Sequence, residues 1–211
     1  MGLKERRERE RVDVREKMLD AARDMFVSHG IEAVTMRAIA DRIEYSPPVI
    51  YSHFADKTAL IQELCYRDFR ALGQAFDKIG RIEDPIERLR RFSAAYVEFG
   101  LEHPEQYRFM FMTAKPAAAV NAAHAQTTDN PEEDAYALLR QTVGEGMAAG
   151  CFRPELTDVE ELAQMLWGSA HAIISLQLAK GDDSWIEWRD VRETTRKLAD
   201  AVLRGVLRKP V

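Results

Sequence analysis

Apolar residues recur along the chain with the 3.6-residue period of an α-helix, and no stretch shows the strict alternation of a half-buried strand. Val14, Met18, Ala22, Met25, Phe26 and His29 follow helical spacing, and Gly30 ends that helix as a C-terminal cap. Thr35 stands as N-cap before Met36, Ile39, Ala40 and Ile43, whose i, i+3, i+4, i+7 spacing predicts a short amphipathic helix. The Glu44-Tyr45 turn leads into Ser46-Pro47-Pro48, a second helix start, because proline at the first helical position lacks only an N–H that would be unpaired anyway. A Ser46 cap reaches only the Val49 N–H, since Pro48 offers no donor. Ile50 and Phe54 then face inward. Asp56 caps a longer helix with the stripe Ile61, Cys65, Phe69, Leu72, Phe76 and Ile79.

From Asp84-Pro85 another helix runs to about Glu102, where His103-Pro104 breaks it. Gln106 to Thr113 is a short aromatic and Met-rich segment, and 114–131, rich in Ala, Thr and Asn with Pro116 and Pro131, reads as a mobile connection. Helices are expected at about 132–149, 158–180 and 185–208. The fold class is therefore all-α, with about nine helices. A three-helix domain over 1–57, including an N-terminal arm at 1–12, precedes a larger helical domain over 58–211.

Two short helices joined by a tight turn and braced by a longer helix make a helix-turn-helix. Its second helix needs an apolar inward side and an outward side able to enter the major groove. Ile50 and Phe54 supply the first; Pro47, Pro48, Tyr51 and Ser52 face outward, with Val49 at the margin.

Composition changes this picture little. With 211 residues and 46% hydrophobic content the chain can bury a sizeable core. No apolar run approaches the ~20 residues that cross a bilayer. The first residues lack the apolar stretch of a signal peptide, so the protein is expected in the cytoplasm with no membrane partner. Net charge is −5; residues 1–57 are neutral, with 11 basic and 11 acidic side chains. DNA binding must then rest on a motif rather than on bulk charge. Cys65 and Cys151 lie in apolar helical contexts and read as reduced core residues. No zinc spacing, phosphate loop, Ser/His/Asp order or paired-carboxylate motif is present, so no catalytic residue, metal or cofactor is expected. An all-helical enzyme around His171, Tyr96 and Glu98 is the weaker alternative.

Ala21-Ala22, Phe26, Gly30, Thr35, Arg37, Ile39-Ala40, Ser46, Ile50-Tyr51, His53-Phe54, Lys57 and Leu60 resemble, in order, the DNA-binding domain of the TetR (tetracycline-repressor-like) family. The resemblance covers about residues 14–64 and implies a repressor that leaves a palindromic operator when a small molecule binds. It also implies a C-terminal domain for effector binding and dimerisation. Glu44 departs from the glycine usual in the turn, so it must adopt positive φ at some cost or reshape the turn. Pro47-Pro48 replaces a polar residue followed by glycine. By resemblance, Thr35, Arg37, Ser46, Pro47, Pro48, Val49, Tyr51, Ser52, His53 and Lys57 make the DNA-binding surface, Arg37 on a base or phosphate, Tyr51 on the backbone, and Lys57 on phosphate at a helix N-terminus. His53 divides evenly between a backbone contact and a surface or capping histidine. Pro47, Pro48 and Val49 cannot hydrogen-bond bases through their side chains, so thymine methyls are their available readout. The arm residues Lys4, Arg6, Arg7, Arg9, Arg11 and Arg15 reach the neighbouring minor groove or form a solvated helix extension, with the second reading slightly favoured.

Helices at about 158–180 and 185–208 are too apolar for a monomer and predict a homodimer through a four-helix interface. Tyr96, Phe99, Met110, Phe111, Met147, Trp167 and His171 are the candidate effector-binding residues. One by one they read as core, and the family resemblance makes them a cavity. Trp167 and His171 resemble a C-terminal domain type marked by Trp and His-Gly, with Ala172 in place of that glycine. A regulator without small-molecule induction remains the other reading.

Overall fold

The computed structural model describes residues 2–126 and 130–208, without the side chains of residues 3 and 4. Met1, the Lys4 side chain of the expected arm, residues 127–129 of the expected connection and the terminal residues 209–211 lie outside the described residues. Among the described residues there are ten α-helices and one π-helical turn, and β-pairing is confined to a single antiparallel bridge. Contacts divide the chain into two units, Met1–Asp68 with Glu105–Gln126, and Phe69–Pro104 with Thr127–Val211. The dividing point falls inside the fourth helix, and a later segment returns to the first unit.

The first unit holds α1 (Leu3–His29), α2 (Met36–Arg42), α3 (Pro47–His53), the beginning of α4 (Lys57–Gly80), α6 (Pro104–Tyr107, apart from its first residue), the π-helical turn Arg108–Met112 and α7 (Ala117–His124). α1 extends through the expected arm, where the Gly2 N–H donates to Glu5 at 3.1 Å and Arg6 pairs with Glu10 one turn on at 2.8 Å. Gly30 ends it at φ 79°, its N–H on the Phe26 carbonyl at 3.0 Å. Met18, Leu19, Ala22 and Phe26 of α1 share a core with Ile39, Ile50, Phe54, Leu60, Leu64 and Cys65. Under this core Arg23 makes two bonds to the fully buried Asp68, at 2.9 and 2.7 Å, tying α1 to α4.

One reading of the 104–131 region needs correction. The Ala-rich stretch expected to be a mobile connection contains α7, because Ala117-Ala118-Ala119 and Ala122-Ala123 carry the highest helix propensity and Ala119 and Ala123 find burial. The preceding π-helical turn leaves carbonyls that ordinary helix bonds do not satisfy. The Lys115 ammonium accepts that task, donating to the carbonyls of Phe109, Met110 (2.9 Å) and Thr113 (2.8 Å). The Phe109 ring stacks on Phe26 at 6.1 Å.

The second unit is built on α5 (Pro85–Glu102), α8 (Ala135–Ala148), α9 (Val159–Lys180) and α10 (Val191–Val206), with the end of α4. Aspartates cap all four, Asp84, Asp134, Asp158 and Asp190 each accepting a backbone N–H of the first turn. α5, α9 and α10 meet so closely that the crevice between Ser93, Ala170 and Thr195 has no room for water. Gly73 of α4 lies where a Cβ would stand 2.4 Å from the Glu133 carbonyl, so only glycine admits the chain entering α8. The last helix starts at Val191 rather than at 185: Asp190 accepts the Glu193 N–H at 2.7 Å, and Trp185, 79% exposed, stays in the preceding turns. Cys151 lies in the turn after α8, not in a helix, beside the Phe152–Leu207 bridge. Both cysteines are free thiols.

Candidate nucleic-acid interface

α2 and α3 set the geometry of the interface. The Thr35 hydroxyl accepts the Ala38 N–H at 3.1 Å, a cap worth about 1 kcal/mol, and buries Met36, Ile39 and Ala40 on one side of α2. On its other side the Arg37 side chain is 81% exposed, with its nearest carboxylate, Asp41, at 3.9 Å. The chain then turns through Glu44 at φ 63°, the one described non-glycine residue with positive φ. Tyr45 and Ile43 both donate to the Ala40 carbonyl, at 3.0 and 3.2 Å. The turn therefore keeps the shape glycine would give, and the side chain bears the left-handed cost of about 1–2 kcal/mol.

α3 begins unusually. The Ser46 hydroxyl makes no cap bond; the Val49 N–H instead donates to the Ser46 carbonyl at 2.9 Å. Pro47 and Pro48 have no N–H. The amide donors that a helix N-terminus usually offers to phosphate are thus absent or occupied here. Ile50 and Phe54 are buried, as the spacing predicts. Pro48, Tyr51 and Ser52 are exposed, whereas Pro47, Val49 and His53 are half-buried, so Pro47 presents less outward surface than expected. The Ser52 hydroxyl donates to the Val49 carbonyl at 2.6 Å, which leaves its oxygen as an acceptor. Exposed side-chain donors on this face are Arg37, Tyr51 and the hydroxyls of Thr35 and Ser46.

Two basic residues act behind the surface. Lys57 donates to the carbonyls of Ile31 at 2.9 Å and Val34 at 3.1 Å, and so fastens the loop before α2. The phosphate contact expected of it competes with this task. Arg15, read from sequence as part of the arm, donates to the His53 carbonyl at 3.0 Å, pairs with Glu63 at 3.2 Å and lies 4.4 Å from the centre of the Phe54 ring. It holds the C-terminal end of α3. The missed signal was its helical phase, one turn before Leu19 and in register with Met18 and Ala22. Burial, then the cations of Arg11 and Arg15, hold the His53 imidazole below its usual pKa. An open groove of about 470 Å³ between α1 and α3 is lined by the cations Arg11 and Lys17 and the carboxylates Glu10 and Asp13, with Val14, Tyr45, Val49 and His53 completing its walls.

The candidate effector residues fall into both units. Met110, buried, and Phe111, half-buried, lie on the π-helical turn of the first unit. In the second unit the Trp167 indole donates to the Tyr96 hydroxyl at 2.9 Å, and that hydroxyl meets His171 Nδ1 at 3.4 Å. Burial pushes the His171 pKa down. Phe99 is buried beside His103, ring centres 5.0 Å apart, and Met147 is half-buried on α8. Glu98, named in the enzyme alternative, forms an exposed ion pair with Arg192 at 2.6 Å and does not join the Tyr96–Trp167 bond. Among the described residues no group of three or more His, Cys, Asp or Glu side chains is placed to hold a metal.

A helix-turn-helix with a distinct helical second unit is the arrangement of a DNA-binding transcription regulator. Residues 18–64 match the family described as bacterial regulatory proteins, tetR family, and residues 89–202 match the tetracyclin repressor-like C-terminal domain, so the chain belongs to the tetR family. It is 35% identical over 122 residues to the HTH-type transcriptional activator FasR of Mycolicibacterium smegmatis, a match covering 54% of this chain and 55% of that protein. The HTH-type transcriptional repressor KstR2 of the same organism is 30% identical over 147 residues, covering 67% and 69%. A TetR family transcription regulator from Marinobacter aquaeolei shares the fold, with TM-score 0.73 and 22% identity over 95% of this chain and all of that one. No described helix is long and apolar enough to cross a membrane.

Proposed function

We propose that the chain is a homodimeric repressor of a palindromic operator, released when a small molecule occupies the second unit. The observation that carries the DNA half is the outward face of α3 and α2, on which Arg37, Tyr51 and Ser52 stand exposed above a buried Ile39, Ile50 and Phe54. Arg37 and Tyr51 provide the hydrogen bonds and charge, Thr35 and Ser46 flank them, and Pro47, Pro48 and Val49 meet thymine methyls. His53 and Lys57 support the surface from behind. Such a protein acts in the cytoplasm, where its operator is.

The dimer reading is supported by α9. Its buried side holds Leu162, Leu166, Ala170 and Ile174, yet Met165, Gly168, Ala172, Leu176 and Ala179 form a second small and apolar stripe open to solvent. α10 contributes less than its sequence suggested, because Arg192, Glu193, Arg196 and Lys197 occupy its exposed side. Leu198, Ala201, Val202 and Gly205 remain as its apolar flank. Two copies place their recognition helices about 34 Å apart for half-sites one turn apart.

Effector binding is supported by the Tyr96, Trp167 and His171 cluster, in which polar atoms are set among aromatic rings. A ligand acts as inducer only through its preference for the arrangement that misplaces the recognition helices. Activation in place of repression is favoured by one observation, the match to an activator at 35% identity. The test is selection of bound duplexes from a random pool, followed by transcription from the selected site with and without the protein. Enrichment of a palindrome and lowered transcription are expected; raised transcription selects the activator reading, and no enrichment defeats the DNA-binding surface itself. Uracil in place of the contacted thymines should weaken binding, and unchanged affinity removes the methyl readout.

A further inference from the structure

The side of α1 that buries Met18 and Ala22 does not end with the core. A step of 100° per residue keeps Arg15, Arg11 and Arg7 within a sector of about 80° that also contains Met18 and Ala22. The face is apolar where it enters the core, and it turns basic at the end of α3 and beyond. Arg15 is already seated at the end of α3, on the His53 carbonyl at 3.0 Å. Arg11, one turn earlier, is exposed on the wall of the groove that Val49 and His53 also line. Arg7 is exposed one turn beyond that, about 12 Å along the helix from Arg15 at 1.5 Å per residue. Neither Arg7 nor Arg11 forms an ion pair with a carboxylate among the described residues, whereas Arg6, on the opposite side, is paired with Glu10 at 2.8 Å. Glu8 sits at the edge of the basic sector, and Glu10 and Asp13 line the same groove as Arg11 from the adjoining side of α1.

From this geometry we infer that the first turns of α1 are a second DNA contact, in which Arg7 and Arg11 bind backbone phosphates flanking the half-site read by α3. A basic face on a rigid helix, continuous with the element that holds α3, keeps the two contacts in fixed register. It also answers the charge problem, since a neutral domain with a proline-tipped α3 lacking free amide donors gains its phosphate contacts from a neighbouring element. The inference rests on the DNA-binding reading above and adds a site to it.

The test is the salt dependence of binding of the full chain to its selected duplex, carrying ten base pairs on each side of the palindrome. The double variant R7Q/R11Q loses two phosphate contacts per protomer, so the slope of log affinity against log salt falls by about 1.8 per protomer, about 3.6 for a dimer. R6Q/R9Q removes the same charge from the other side of α1 and keeps the wild-type slope. Trimming the flanking base pairs erases the difference between wild type and R7Q/R11Q. An unchanged slope in R7Q/R11Q, or an equal fall in R6Q/R9Q, overturns the flanking contact while leaving α3 as the reader. Failure of the wild type to bind any selected duplex overturns both. All four arginines are exposed, so helicity by circular dichroism should match the wild type in each variant.

Discussion

Replacing Asp68 by alanine exposes what the Arg23–Asp68 pair contributes. Asp68 is fully buried and accepts two bonds from Arg23, at 2.9 and 2.7 Å, and a third from Gln106 at 3.3 Å. The Arg23 side chain is itself only 9% exposed. Removing the carboxylate strands a guanidinium in a space that water barely reaches. Asp20, at 3.2 Å and 60% exposed, compensates for part of the loss. Breaking a buried pair in this way costs about 3–5 kcal/mol, and the exposed neighbour places the expectation near ~3 kcal/mol. With a urea dependence of about 2–3 kcal/mol per molar, the midpoint of unfolding falls by roughly 1–1.5 M. The double variant R23M/D68L removes both charges at similar volume and should recover most of that loss, because neither desolvated ion then remains. Urea melts of the two single variants and the double close the cycle. A single D68A loss below about 1 kcal/mol, or a double variant as unstable as the sum of the singles, refutes the reasoning that an uncompensated buried charge dominates here.

Three further outcomes are expected of the same fold. Glu44→Gly relieves a left-handed residue at φ 63°, a gain of about 1–2 kcal/mol offset by the ~0.5–1 kcal/mol of backbone freedom that glycine loses, so the variant should be more stable by roughly 0.5–1 kcal/mol in urea, and a loss of stability would mean that the Glu44 side chain has a compensating partner. Burial pushes the Cys65 thiol up to about 11, while Cys151 is half-buried in a turn, so a thiol reagent at mildly alkaline pH should modify one cysteine fast and the other only on unfolding; two fast equivalents would contradict the packing. His53 and His171 are both held below the usual 6.5, chiefly by burial, so as pH falls through that value the unfolded chain takes up protons before the folded one. Their contribution to stability is therefore full above about pH 6.5 and declines below it, and H53Q/H171Q should flatten the pH dependence of the urea midpoint between about pH 7 and pH 5, an unaltered dependence counting against the burial.

Much of the fold was legible because it is written in local terms. Period, caps and breakers need only neighbours in sequence: Thr35 before Met36, Gly30 after His29, Asp56 before α4, Pro104 after α5. The helix-turn-helix is short enough that its whole pattern fits in one reading, and even the strain at Glu44 could be foreseen from the lack of a glycine. The errors came from local signals that compete. An alanine-rich stretch bounded by Pro116 and Pro131 looked like a connection, though alanine propensity and burial of Ala119 and Ala123 make it α7. The apolar residues of 185–190 looked like a helix start, though the Asp190 cap comes later.

The sequence by itself determined that the chain is helical, where the second helix of the helix-turn-helix lies and which of its residues face inward. Only the tertiary structure decided what each charge is for. Arg15 meets the His53 carbonyl across 38 residues, Lys57 reaches Ile31 across 26, and Arg23 finds Asp68 across 45. Helical phase can say that such a side chain points inward. It cannot say which carbonyl or carboxylate waits there, because a charge is bound or free according to the partner that folding delivers and the water that it excludes. For the same reason the hold of Lys57 on the loop before α2 appears only in the fold, and Arg11 and Arg7 stand as cations without a carboxylate partner among the described residues.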